Sequence, residues 1–193
     1  MKILIRTKLK ALCVLGLGLA LAPMTSAQDS APSAPFSWDA PTGQVKLVQR
    51  ADLMQQILAG ETVTGSFVLT DCRPNGRFEP GFRLILQTGD QKTSVFPGFT
   101  CVPETGQVYV GQSSIVKDGV HTGLQRAEFL DRQIGETGER IGFSIRLEAG
   151  MVYIESGNVQ KIYPVDAHFE MAFFAAVASE GMVVFAEEAT SLG

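Results

Sequence analysis

The chain holds only two imidazoles, His121 and His168, so general acid–base chemistry near neutral pH has few places to start. His168 lies in Asp166-Ala167-His168-Phe169-Glu170. If this stretch is a strand, residues two before and two after the imidazole share its face. Asp166 and Glu170 would then flank His168 and orient a general base or a weak metal site. The same triplet also fits a solvated strand face. His121 sits in Asp118-Gly119-Val120-His121-Thr122-Gly123, the composition of a turn. No Gly-x-Ser-x-Gly elbow is present, and Ser113-Ser114 lacks a glycine frame. Gly135-Glu136-Thr137-Gly138 is acidic and would repel phosphate, so it reads as a turn rather than a nucleotide loop. The acids form no EF-hand pattern. No metal site and no cofactor are expected.

The cysteines offer a different chemistry. There are three, Cys13, Cys72 and Cys101. Cys13 falls inside an N-terminal stretch with the order of a secretory leader. Lys2, Arg6, Lys8 and Lys10 form a basic head, residues 11–22 an apolar body, and Thr25-Ser26-Ala27 a small-x-small exit. The body is short for a membrane span. Cys13 precedes most of it, where a lipidated cysteine would have to follow it. Cleavage after Ala27 leaves Cys72 and Cys101, an even pair without Cys-x-x-Cys spacing, which in an exported protein reads as one disulfide. The closed loop of about 29 residues stabilises the fold by roughly 3–4 kcal/mol on chain-entropy grounds. Asp71 and Arg73 flank Cys72 and are placed to pair locally.

The leader removes 4 of the 16 basic residues and none of the 20 acidic ones, leaving a net charge of −8. Such a surface repels phosphate backbones and anionic lipid, which argues against nucleic-acid binding. No membrane-spanning segment is expected beyond the leader.

Residues 28–43 are rich in Ala, Pro and Ser and read as a tether, with Phe36 and Trp38 as aromatic exceptions that dock on the domain or, as the alternative, on a partner. Residues 44–193 are expected to form one domain. Leu47 to Ala59 has apolar residues at steps of three and four, with Asp52 early and Gly60 just beyond, which predicts a helix packed on a sheet. After Gly60 the pattern is strand and turn: 62–70, 82–88, 93–100, 107–116, 140–148, 151–155, 159–165, 168–178 and 182–187. Ala149-Gly150 and Glu180-Gly181 read as hairpin turns. Residues 124–134 fit either a short helix or a strand-edge excursion. The fold class is mainly β, a single antiparallel barrel or curved sandwich with one N-terminal helix packed on it.

The strand at 168–178 carries most of the aromatic residues at the end of the chain. In alternation, Phe169, Met171 and Phe173 share one side and Phe174 the other. A curved sheet with such a face can hold an apolar ligand, although small barrels more often fill the space themselves.

Two segments resemble the VirK family of small exported bacterial proteins. One runs from Asp52-Leu53 through Leu58 and Gly60 to Val63 and ends at Asp71-Cys72. The other is Phe143-Ser144-Ile145-Arg146 followed by Ala149-Gly150-Met151-Val152. The resemblance implies an exported, envelope- or virulence-associated protein and transfers no catalytic residue. These readings favour a non-enzymatic periplasmic or secreted protein that binds an envelope protein or a small apolar ligand. An envelope hydrolase or isomerase centred on His168, or a purely structural envelope component, are the alternatives. Mass spectrometry of the exported protein should find Gln28 as the first residue; a mature chain retaining earlier residues contradicts the leader assignment.

Overall fold

The computed structural model describes residues 35–48, 50–74, 79–118, 120–123, 132–165 and 167–186. The elements run β1 (Phe36–Asp39), β2 (Val45–Val48), α1 (Ala51–Leu58), β3 (Val63–Cys72), β4 (Gly81–Gln87), β5 (Thr93–Cys101), β6 (Gln107–Lys117), β7 (Val120–Gly123), β8 (Gln133–Glu136), β9 (Ile141–Glu148), β10 (Met151–Ser156), β11 (Val159–Pro164), β12 (Met171–Val177) and β13 (Ser179–Phe185). Two sheets result. Sheet A has the order β1-β13-β3-β9-β10-β11 and sheet B the order β2-β12-β4-β5-β6-β7, with β8 also on β6. The pairings of both sheets are antiparallel. Of the two architectures expected, the chain adopts the sandwich, of jelly-roll type. No described helix is long and apolar enough to cross a membrane.

Alternation explains the layer between the sheets. Phe67 from β3 and Phe143 from β9 turn inward from sheet A, and Phe82, Phe99 and Phe174 turn inward from sheet B. Phe67 and Phe99 meet across the gap at 4.7 Å between ring centroids. Phe82 lies at 5.4 Å from Phe174 and at 5.4 Å from Trp38, stacked on both. Offset and tilted ring pairs of this kind add about 0.5–1.5 kcal/mol each beyond the area they bury. Helix α1 buries Leu53 and Ile57 and packs against β12.

The cysteines join the two layers. Cys72 ends β3 in sheet A and Cys101 ends β5 in sheet B; their sulfurs are bonded, with the Cα atoms 6.1 Å apart. Beside them Arg73 gathers three acids from three neighbouring strands. Its Nη1 pairs with Asp39, its Nε with Asp71 at 2.9 Å and its Nη2 with Glu180 at 3.3 Å. Hydrogen bonds to Asp39 and then Asp71 hold the guanidinium above its ordinary pKa.

Four expectations change. The stretch read as a tether contributes β1, because Trp38 has a place to go: its ring covers Gly181 and its Nε1 donates to Ser179 Oγ at 3.2 Å. A Cβ at position 181 would fall 2.9 Å from that indole and 2.2 Å from the Val68 carbonyl oxygen, so glycine is required there. Val45–Val48, whose end was read into the helix, is β2 and pairs with β12; the apolar spacing of residues 47–51 suits either element. Glu180-Gly181 is a bulge in β13, not a hairpin turn. The turn falls on buried Ala178, at φ +40°, where the chain passes from sheet B to sheet A. The strand expected from residue 168 starts at Met171. Of the ambiguous stretch 124–134, residues 124–131 lie outside the described residues and Ile134 belongs to β8.

Replacing both cysteines by serine should lower the unfolding free energy by about 3–4 kcal/mol, read from urea titrations of oxidised wild type and variant; a loss below about 1 kcal/mol would deny the cross-link its structural role.

Candidate functional site

The residues singled out for acid–base work do not share a strand face. His168 and Glu170 are exposed in the segment that leads into β12, and Asp166 lies outside the described residues. Glu170 is held locally: its backbone N–H donates to the Gln87 carbonyl at 3.1 Å, and its carboxylate lies against Gly89. The aromatic trio is also divided. Phe169 is buried ahead of the strand, whereas Met171 and Phe173 are half-buried in rows with Gln87 and Ile85 on the outer face of sheet B. Ala172 and Phe174 are the residues that face the core. The expected alternation fails because its first member is not in the strand. The space between the sheets is occupied by the protein's own rings.

A different set of residues converges on the outer face of sheet A. The hairpin at Ala149-Gly150, with φ +50° and +73°, has the left-handed pair that a two-residue turn of the primed type needs. It sets the register of β9 against β10. Ile141, Phe143 and Ile145 turn inward from β9, and Val152 and Ile154 from β10. Ser144, Arg146, Tyr153 and Glu155 must therefore turn outward. The register then builds two parallel rows. Thr64, Ser144, Glu155 and Gln160 follow one another across β3, β9, β10 and β11; Arg146, Tyr153 and Ile162 form the next row.

Both rows are braced. Glu155 accepts from Ser144 Oγ at 3.2 Å on one carboxylate oxygen and from Gln160 Nε2 at 2.5 Å on the other. The Arg146 guanidinium lies 4.8 Å from the centroid of the Tyr153 ring, a cation–π distance, and its Nη1 pairs with Glu148 at 3.1 Å. Thr62, Ser144, Arg146, Tyr153 and Glu155 line a shallow depression of about 250 Å³.

This arrangement suits recognition better than turnover. A guanidinium that only donates, a carboxylate that only accepts, and hydroxyls that do both surround one small volume. A hydroxyl-rich ligand can satisfy all of them at once. Among the described residues, no group of three or more His, Cys, Asp or Glu is placed to hold a metal ion. The outward residues were legible in part. Alternation over residues 140–148 puts Ser144 and Arg146 on the face opposite Ile141, Phe143 and Ile145, and counting across the Ala149-Gly150 turn brings Arg146 opposite Tyr153 and Ser144 opposite Glu155.

No known family model matches the chain, and no curated protein matches it. Among solved structures, a galectin of Caenorhabditis elegans is similar at 11% identity over 79% of this chain and 96% of its own, with a TM-score of 0.48. An alginate lyase from Pseudomonas aeruginosa is 10% identical over 84% of this chain and 75% of its own, with a TM-score of 0.42. A carbohydrate-binding module from Bacillus subtilis is 13% identical over 64% of this chain and 70% of its own, with a TM-score of 0.39. The sandwich assignment rests on this chain's own strand pairing.

Because His168 is exposed, His168→Ala should leave the unfolding free energy within about 0.5 kcal/mol of wild type. A loss above 2 kcal/mol, on the order of a buried hydrogen-bonded group, measured by chemical denaturation, would show that the side chain has a buried role.

Proposed function

We propose that the protein is an exported, non-catalytic binding module that takes a neutral saccharide on the outer face of sheet A. The observation that carries this reading is the convergence of Arg146, Tyr153, Glu155, Ser144 and Thr62 on one depression. A sugar ring offers vicinal hydroxyls that donate and accept, together with C–H faces that suit an aromatic neighbour. Glu155 and Arg146 supply an acceptor and a donor a short distance apart, and their bracing limits the side-chain ordering that a ligand must impose.

Size and charge narrow the ligand. About 250 Å³ is below the roughly 300–1,000 Å³ of sites that enclose drug-sized molecules, so one or two sugar rings sit in it and a longer chain lies across the strands. Glu148 and Glu155 line or border the site, and the chain carries an excess of acid, which disfavours polyanions there. The polar lining replaces the small apolar ligand suggested by the aromatic strand with a polyol. A disulfide between the sheets fits an oxidising compartment, and the leader directs the chain to the periplasm or beyond. The VirK-like segments add an envelope association, with the partner a glycan of that envelope or of its surroundings.

The test is calorimetric titration of the oxidised protein with a panel of neutral mono- and oligosaccharides. At least one should bind, and Glu155→Gln and Tyr153→Ala should each weaken it by about tenfold or more, the equivalent of one charge-assisted hydrogen bond or one aromatic contact. Thermal stability should stay near wild type, since both side chains face outward. Absence of binding across the panel, or equal affinity in both variants, would sink the proposal.

A further inference from the structure

The outer face of sheet A continues past the polar depression toward β11. Tyr153 stands opposite Arg146 on one side and opposite Ile162 on the other. Met151 stands opposite Glu148 and Pro164. Val152, between Met151 and Tyr153, is fully buried, so both of its neighbours turn outward. Their β11 partners, directly across the ladder, share that face. Two apolar cross-strand pairs therefore lie side by side, Tyr153 with Ile162 and Met151 with Pro164. Ile162 is 48% exposed, Pro164 is exposed, and Met151 and Tyr153 are half-buried. Sheet A has no strand beyond β11, so the platform lies at its open edge.

This platform is continuous with the depression. Tyr153 lines the depression together with Thr62, Ser144, Arg146 and Glu155, and the same residue forms the inner corner of the apolar pairs. The four Cβ positions span about 5 Å across the strands and about 7 Å along them. A single exposed isoleucine on a surface needs no explanation. Four contiguous apolar side chains that share a ring with a polar hollow mark a surface of mixed character.

We propose that the ligand is an amphipathic glycoside, its sugar ring in the depression and an apolar aglycone laid past Tyr153 onto Ile162, with Met151 and Pro164 as the border. This inference rests on the saccharide reading above and adds the second half of the ligand. The chemistry of the platform selects an apolar group over a second sugar ring. Ile162 and Pro164 offer no side-chain donor or acceptor, and Met151 only a weak thioether acceptor. Hydroxyls pressed onto them would lose water without a replacement partner. An anionic tail is disfavoured as well, because Glu148 stands opposite Met151. Ile162 is then the residue that reads the aglycone, whereas Glu155 and Arg146 read the sugar.

Calorimetric titration of the full, disulfide-intact protein tests this with methyl and butyl β-glucosides, methyl and butyl β-galactosides, and cellobiose and lactose as second-ring controls. For at least one of the two sugars the butyl form should bind about tenfold tighter than the methyl form, close to the contribution of two buried methylenes. The matching disaccharide should gain less. Ile162→Ser should abolish the butyl preference and leave methyl glycoside affinity within about twofold, with an unchanged fold because the side chain is exposed at a sheet edge. Glu155→Gln should weaken both forms and keep their ratio. No binding of either butyl glycoside, equal affinity of butyl and methyl forms, a disaccharide that outdoes the butyl form, or a preference kept by Ile162→Ser each overturns the inference. The saccharide reading itself falls only if the panel of neutral sugars is silent as well.

Discussion

The ring layer between the sheets is the contact on which the rest of the molecule depends. Phe67 and Phe99 close the gap between the sheets, and Phe82 sits between Trp38 and Phe174. Burying one such side chain stabilises by about 1.5–3 kcal/mol. The layer therefore outweighs every exposed ion pair on the surface, since those contribute about 0–1 kcal/mol each. It also has a functional consequence. An interior filled by the protein's own rings leaves the outer faces of the sheets, where alternation has placed the polar residues, as the place for the proposed recognition.

Covalent and electrostatic ties work at the margin of that layer. The Cys72–Cys101 bond fastens β3 to β5 and so joins the two sheets directly. Arg73, next in sequence, draws Asp39, Asp71 and Glu180 together and secures β1 to β13 and β3. The disulfide acts mainly on the unfolded chain. The Arg73 cluster is solvated and acts on register and local order more than on net stability.

Most of the strands were legible because they alternate. β3, β4, β5, β6, β9, β10 and β11 fall within one or two residues of their expected bounds, and the Ala149-Gly150 hairpin forms as read. What escaped was set by tertiary partners. β1 hides in a Pro- and Ser-rich stretch because its stability comes from Trp38 lying over Gly181, a contact spanning most of the chain. β2 and the start of α1 share one apolar spacing, and only the edge of β12 makes residues 45–48 a strand. Glu180-Gly181 has the composition of a turn, yet the chain turns two residues earlier, at Ala178. The candidate site was half legible. Alternation gives the outward face of β9, but only the hairpin register brings Arg146 to Tyr153 and Ser144 to Glu155.

The outer face of sheet A thus carries an open polar-aromatic depression, over a core filled by the protein's own rings. The direct measurement is a solution NMR titration of the isotopically labelled, oxidised protein with a neutral saccharide that it retains. Shifts confined to Thr62, Ser144, Arg146, Tyr153 and Glu155, with the resonances of Phe82, Phe99 and Phe143 unmoved, are the predicted result. Shifts centred on those three rings would place the ligand inside the sandwich and contradict recognition at the outer face.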